Sequence, residues 1–186
     1  MERLENDYQS WDESVKPFWQ KLFTSDKPAT YPELVKNAMT FLWASRHGLT
    51  ETELLKLLDV PQAIWSPLYL ALQTALVNRA GLLNFANDYL RQAVEQRYLT
   101  GIKQQVHSNL ANLFESLPMD SRKADELPYQ LEQAGAKERL LACISEIPMF
   151  LQFIKDERLY ELLVYWRKLN QESQIATIYL RAISEI

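Results

Sequence analysis

The sequence predicts a mainly α-helical protein: a winged-helix module with a small β-hairpin, followed by a helical arm of the α-solenoid type. Capping signals and apolar residues at helical spacing indicate successive short helices, with a break at residues 78–85, where turn residues precede a short apolar strand. Short amphipathic helices with brief connections then continue along the chain. We place an N-terminal helical segment at residues 1–29, the winged-helix domain at 30–100 and the helical arm at 101–186.

Two capping boxes begin the helices of the winged-helix module. Thr30 with Glu33 precedes the first helix, and Thr50 with Glu53 precedes the second. In each pair the threonine oxygen can accept the backbone N–H three residues later, while the glutamate carboxylate reaches back to the threonine N–H. Gly48 lies where we expect a left-handed cap at the end of the first helix.

A third helix and a hairpin complete the module. An interior proline costs a helix about 3 kcal/mol, so we predict a turn over Pro61–Trp65 and a helix that starts at Ser66. The strand of the wing is predicted at Leu82–Phe85, with a partner strand around Leu76–Asn78.

Helical patterns fill the rest of the chain. Asn87 or Asp88 is expected to cap the next helix. Gly101 interrupts the pattern, and a helix with Ile102 at its start and Leu117 at its end follows. After a polar loop, the pattern predicts five short helices at Glu126–Ala134, Lys137–Ile147, Pro148–Ile154, Glu157–Leu169 and Glu172–Ile186. The apolar spacing is unfinished at the last residues, so we expect the chain to be part of a longer protein.

Composition argues against several functional classes. The 186 residues contain four glycines and no glycine-rich phosphate loop, which argues against a nucleotide-hydrolysing centre within this chain. The two histidines are far apart in the sequence, and we predict no metal site. A single cysteine, Cys143, has apolar neighbours and predicts a buried thiol in a reducing compartment. No apolar run approaches the ~20 residues of a membrane-spanning helix. We therefore expect a cytoplasmic protein with no membrane partner.

The third helix favours protein contact over nucleic-acid contact. Helices that read DNA present basic or amide side chains to the major groove, whereas residues 61–78 contain no charged residue and the net charge of the chain is −4. Aromatic side chains often anchor protein interfaces. We take Trp43, Trp65 and Tyr69 as interface candidates, since Trp43 lies off the main apolar stripe and Trp65 is predicted in a turn.

Four stretches resemble the region that follows the nucleotide-binding core in NACHT-type STAND ATPases, in the branch of nephrocystin-like and telomerase-associated-protein-like proteins. The two longer stretches are Phe41–Leu55 and Leu76–Val94, and the two shorter ones are Arg3–Tyr8 and Glu126–Gly135. They occur in the family's order, and the resemblance as a whole extends over about residues 1–155.

The resemblance implies a regulatory region without catalytic residues. In that family the winged helix packs on the ATPase core and helps to hold the closed, ADP-bound state. The nucleotide would be held by an upstream domain, so no cofactor is expected within this chain. A histidine that follows the wing strand often contacts the nucleotide phosphate, and the matching residue here is Asn87, in Phe85-Ala86-Asn87. Asparagine can donate a hydrogen bond but carries no charge, so a helix-capping role for Asn87 stands as the alternative.

The leading hypothesis is therefore a non-enzymatic regulatory and scaffold segment of a STAND ATPase. Its partners would be the ATPase core and downstream repeats of the same polypeptide. A free-standing helical adaptor that binds another protein is the first alternative. A winged-helix DNA-binding regulator is the second, and the uncharged third helix argues against it.

Overall fold

A computed structural model describes residues 31–184 and confirms a mainly α-helical fold with one small sheet. The predicted helical segment at 1–29 and the capping box at Thr30 lie outside the described residues. In chain order the elements are α1 Tyr31–Ala44, β1 Leu49–Thr50, α2 Glu51–Leu58, α3 Gln62–Leu72, β2 Leu76–Arg79, β3 Leu82–Phe85, α4 Asp88–Tyr98, α5 Lys103–Glu115, α6 Ser121–Gln133, α7 Lys137–Ser145, α8 Ile147–Lys155, α9 Leu159–Lys168 and α10 Ile175–Ser184. A short 3₁₀ turn, Glu172–Gln174, precedes α10.

The backbone divides into two compact units, with the division inside α5, between Val106 and His107. The first unit contains the sheet and α1–α4. In the second unit, α6 contacts both α7 and α8, and α9 and α10 each contact that same pair of helices. Each helix therefore packs on its near neighbours in sequence, which is the contact pattern expected of an α-solenoid-like arm.

The first unit is assembled around α1. This helix contacts α2, α4 and β3. Ala38 and Leu42, one turn apart, have no exposed surface, and their neighbours on the same stripe, Leu34 and Met39, are also buried. The apolar spacing that predicted this helix thus corresponds to the surface that the other elements cover.

The sheet has three strands in the order β1-β3-β2, and all pairs are antiparallel. Leu76 pairs with Phe85 and Arg79 with Leu82, so the predicted wing strands are present. Strand β1 was not predicted; it has two residues, and its Leu49 pairs with Leu83. A strand of this length has too few residues for a period-2 pattern, and only its long-range pairing defines it.

Two glycines have backbone conformations that the sheet requires. Gly48 has φ of +99°, and a Cβ atom there would lie 2.5 Å from the carbonyl oxygen of Leu83. Its role is therefore to let β1 approach β3, and the expected left-handed helix cap is wrong because α1 already ends at Ala44. Ala80 and Gly81, with φ of +52° and +86°, form the two-residue hairpin loop.

Helix α2 begins at the predicted capping box. Thr50 Oγ1 accepts the backbone N–H of Glu53 at 3.1 Å, and the Glu53 carboxylate accepts the backbone N–H of Thr50 at 2.8 Å. Two backbone donors that have no partner inside the helix are thereby satisfied.

Helix α3 differs from the prediction at its start. It runs from Gln62 to Leu72 with Pro67 inside it, so the predicted turn over Pro61–Trp65 and the start at Ser66 are wrong. Trp65, Leu68 and Leu72, at spacings of three and four, are buried on one side of the helix. We infer that burial of these three large side chains outweighs the cost of the interior proline.

Helix α6 also begins earlier than predicted, at Ser121. Asp120 is its N-cap and accepts the backbone N–H of Lys123 at 2.7 Å. The polar residues that predicted a loop are therefore the capped first turns of a helix, since aspartate before a helix satisfies its free N–H groups.

A chain of buried polar side chains joins α5 to α6 within the second unit. His107 Nδ1 lies 2.7 Å from Gln130 Oε1, Gln130 Nε2 donates to Glu126 at 2.8 Å, and Arg122 donates to Glu126 at 3.0 Å. Glu126 and Gln130 have no exposed surface. Because each of these groups has a partner, the chain specifies how the two helices pair without leaving a buried charge uncompensated.

The core assignment of the first unit can be tested with three leucines. Leu54→Ala and Leu72→Ala should each lower the free energy of unfolding by about 2–5 kcal/mol, because both side chains are buried. Leu70, two residues from Leu72 on the same helix, is 63% exposed, and Leu70→Ala should cost less than about 0.5 kcal/mol. Urea unfolding followed by circular dichroism measures all three. Equal losses for Leu70→Ala and Leu72→Ala would contradict the orientation of α3.

Candidate functional site

The outer side of α3 is the strongest candidate for a binding surface in the first unit. Opposite the buried side, the helix exposes Ala63, Leu70 and Ala71, while Ser66 and Pro67 are half-buried. Leu70 is 63% exposed, a large apolar side chain in the middle of this stripe. We call these five residues the α3 outer stripe. Small residues around one protruding leucine form a surface onto which another protein element can pack closely.

The α3 outer stripe carries no charge, and neither does the rest of residues 60–78. Contacts with DNA phosphates need cations, and the salt dependence of such binding follows from the counterions released. The chemistry of this helix therefore suits an apolar protein surface.

Pro67 removes one hydrogen bond from α3. Proline has no N–H, so the carbonyl of Ala63, four residues earlier, receives no hydrogen bond from position 67.

Trp65 does not have the position expected of an interface residue. It lies inside α3 and is fully buried, so the expected exposure is corrected: its position in the helix turns the ring toward the core. Its ring stacks with that of Tyr69, with 6.0 Å between centroids and 29° between planes. Tyr69 is half-buried, and its role as an interface residue remains a prediction. Among the described residues, no acceptor lies within hydrogen-bonding distance of Trp65 Nε1.

Trp43 is half-buried and makes contacts within the first unit. Its Nε1 donates to Glu95 at 3.3 Å, and the cations of Arg91 and Lys103 lie 5.7 Å and 5.4 Å from its ring centroid. Lys103 also pairs with Glu95 and holds the pKa of that carboxyl below its usual value of 4.5. Because the pKa of Glu95 is lowered in the folded protein, the pair stabilises the unit at pH values above the usual pKa of a glutamate. This contribution is lost as the pH falls through the lowered pKa. These contacts stabilise the packing of α1 against α4. The role of Trp43 in an interface remains a prediction.

Asn87 is the N-cap of α4. Its Oδ1 accepts the backbone N–H of Leu90 at 3.0 Å, as predicted for a capping residue. The Nδ2 amide group is the donor that could bind a phosphate oxygen, and that contact stays a prediction. Arg79 and Tyr89 line the same open groove between the hairpin and α4.

Leu70 was missed because only aromatic side chains were taken as interface candidates. Ala63, Ser66, Pro67 and Leu70 follow at spacings of three and four, opposite the stripe of Trp65, Leu68 and Leu72. This spacing is the signal that could have identified the outer stripe.

Cys143 in the second unit is buried, and burial raises the pKa of its thiol to about 12. At neutral pH the group is a thiol rather than the thiolate that nucleophilic chemistry requires. Among residues 31–184, no group of three His, Cys, Asp or Glu side chains is placed to hold a metal ion. Within the same part of the chain, none of the helices has the length and apolar character needed to span a membrane.

Comparison with known proteins shows similarity to helical repeat proteins. The chain is 29% identical over 147 residues to a TPR repeat-containing protein of Dictyostelium discoideum, a match that covers 76% of this chain and 9% of that protein. It is 28% identical to human nephrocystin-3 and 24% identical to mouse nephrocystin-3, each over 165 residues that cover 82% of this chain and 12% of the relative. No family model and no solved structure matches.

The predicted similarity to nephrocystin-like proteins is thus confirmed at modest identity, while the assignment to a NACHT ATPase remains a prediction. The chain spans about a tenth of the length of the curated relatives it matches.

Substitutions at Trp65 test whether its buried indole N–H lacks an acceptor. Trp65→Ala should cost about 3–5 kcal/mol because it leaves a cavity. Trp65→Phe keeps an aromatic ring, removes a donor that has no partner and leaves a smaller cavity, so we expect a smaller loss than for Trp65→Ala. Chemical denaturation followed by far-UV circular dichroism measures both variants. Losses of equal size would contradict the absence of an acceptor for the indole N–H.

Alkylation of Cys143 tests the burial of the thiol. Native protein at pH 8 should remain unmodified by iodoacetamide, since a pKa of about 12 leaves almost no thiolate. Protein unfolded in urea should react to completion, as mass spectrometry would record. Rapid stoichiometric labelling of the native chain would contradict the position of Cys143 in the core.

Proposed function

We propose that this chain is a non-catalytic regulatory and scaffold segment of a NACHT-type STAND ATPase. In this proposal, residues 30–100 form a winged helix that docks on a nucleotide-binding core. Residues 101–186 form a helical arm that connects the core to downstream repeats. ATP or ADP is held by the upstream core.

Two findings support this proposal. The element order of the first unit, three helices and a short strand followed by a hairpin, together with the strand order β1-β3-β2, agrees with a winged helix. The relatives are a TPR repeat-containing protein and nephrocystin-3, which supports a helical scaffold that contacts proteins.

The single observation that carries the docking role is the α3 outer stripe. A winged helix that binds DNA presents this helix to the major groove with basic or amide side chains. Here the corresponding surface has Leu70 at 63% exposure and no charge. Docking on a protein removes this leucine from water, whereas contact with phosphates would not.

Asn87 has a secondary role in this proposal. The capping bond uses its Oδ1, and its Nδ2 donates to a phosphate oxygen of the nucleotide held by the core. This contact is weaker than that of a charged histidine, because a neutral donor forms a weaker hydrogen bond with an anion than a charged donor does.

A free-standing adaptor that binds another protein is the alternative, and the same outer stripe favours it equally. The discriminating observation is the coding sequence upstream of Met1: a P-loop encoded there supports the ATPase segment, and its absence supports the adaptor.

The docking role is tested by titration of the chain with the upstream nucleotide-binding core in the presence of ADP. Leu70→Asp should weaken binding at least about tenfold, because it places a charge in the centre of an apolar contact. Asn37→Asp, which adds the same charge at an exposed position of α1, is the matched control and should bind like the native chain. Native affinity for Leu70→Asp would contradict docking through α3.

The DNA-binding alternative predicts a different result. Duplex DNA titrated at low and moderate salt should show no sub-micromolar binding, because Arg79 is the only basic residue of the hairpin and Arg91 contacts Trp43. Sub-micromolar binding with a steep salt dependence, abolished by Arg79→Glu with Arg91→Glu, would overturn the proposal in favour of a DNA-binding regulator.

A further inference from the structure

Helix α9 in the second unit has large side chains on two sides: those on one side are buried, and those on the other side are exposed. Its inner side contains Leu162, Tyr165 and Trp166, which are at most 4% exposed. Its outer side contains Tyr160 at 75% exposure and Leu163 at 41%. Large side chains that are exposed together on one side of a helix mark a surface that another element can cover.

The outer side of α9 also contains a positively charged residue, Arg167. Tyr160, Leu163 and Arg167 are three and four residues apart and therefore lie on one face of α9. We call these three residues the α9 stripe. The Arg167 side chain is 69% exposed, and its ion pair with the exposed Glu172 spans 3.9 Å, a geometry that contributes little to stability. Arg167 therefore remains accessible to a carboxylate of a partner.

The acidic side chain of α9 is bound within the second unit. Glu161 is its single acidic residue, and it accepts hydrogen bonds from Arg158 at 2.8 Å and from Tyr165 at 3.1 Å. Arg158 also pairs with Asp125 at 3.0 Å. The acidic group of the helix is thus bound within the unit, whereas the accessible side presents a tyrosine, a leucine and an arginine.

This composition is that of an interface anchor. Tyrosine and arginine are enriched among the residues that dominate binding energy, and anchors at i, i+3 and i+7 are how one helix packs along another. We propose that the α9 stripe binds an acidic amphipathic helix of another protein. In this complex, apolar side chains of the partner pack on Tyr160 and Leu163, and a glutamate or aspartate of the partner pairs with Arg167.

The probe for this proposal is a pair of synthetic helical peptides used with the full chain. Both have leucine at every a and d position of three heptads. One has glutamate at all e and g positions and the other has lysine, so that like charges prevent self-pairing in each. Fluorescence anisotropy of the labelled peptides measures binding.

The native chain should bind the acidic peptide about fivefold or more tightly than the basic peptide, and added salt should reduce this difference. Arg167→Glu should remove or invert the preference. Tyr160→Ala should weaken binding of the acidic peptide about tenfold. Tyr89→Ala is the matched control, because Tyr89 is 65% exposed in the first unit, and it should leave binding unchanged.

Three results would overturn the proposal. Equal binding of the two peptides would show that the partner need not be acidic. Equal effects of Tyr160→Ala and Tyr89→Ala would show that binding does not use the α9 stripe. Sedimentation that shows self-association of the native chain, abolished by Tyr160→Ala, would show that a second copy occupies the stripe. Circular dichroism of each variant, expected to match the native spectrum, confirms that the fold is retained.

Discussion

The burial of α1 is the constraint on which the first unit depends. This helix contacts α2, α4 and β3, and Ala38, Leu42 and Ala44 have no surface in contact with solvent. Small residues at Ala38 and Ala44 let the neighbouring elements approach, and a larger side chain at either position would separate them. The sheet, in turn, depends on Gly48, where a Cβ atom would meet the Leu83 carbonyl. The inner side of α3 is buried within this unit, and its outer stripe is exposed.

Signals between residues close in sequence could be predicted, and those that depend on distant residues could not. The capping box of Thr50 with Glu53 and the cap at Asn87 involve residues three apart, and both are present. The hairpin was also predicted, because its two strands are separated by only two residues. Strand β1 was missed because its partner, Leu83, lies far away in sequence. The start of α3 was misplaced because burial of Trp65 and Leu72, which no local rule reports, outweighs the proline at position 67.

The uncharged character of the α3 outer stripe could be predicted from the sequence, but the residue that protrudes from it could not. The absence of charge on the third helix is a property of composition and needs no structure. The exposure expected of Trp65 was wrong because this residue lies on the buried side of α3, and Leu70 was missed because only aromatic side chains were taken as interface candidates. Trp43 shows the same limit: a tryptophan off the main stripe suggested exposure, but Glu95, Arg91 and Lys103 surround it. These partners lie on two other helices, which no pattern within α1 indicates.

The most direct test of docking through α3 is the reactivity of a thiol at its outer stripe. Cys143 is buried, so Leu70→Cys gives a chain whose accessible thiol lies in the stripe. Maleimide should label this thiol rapidly in the chain alone. In a longer protein that includes the proposed nucleotide-binding core, with ADP present, the account predicts labelling at least about tenfold slower, because docking buries position 70. An equal rate in the two proteins would contradict the docking of α3 on the core.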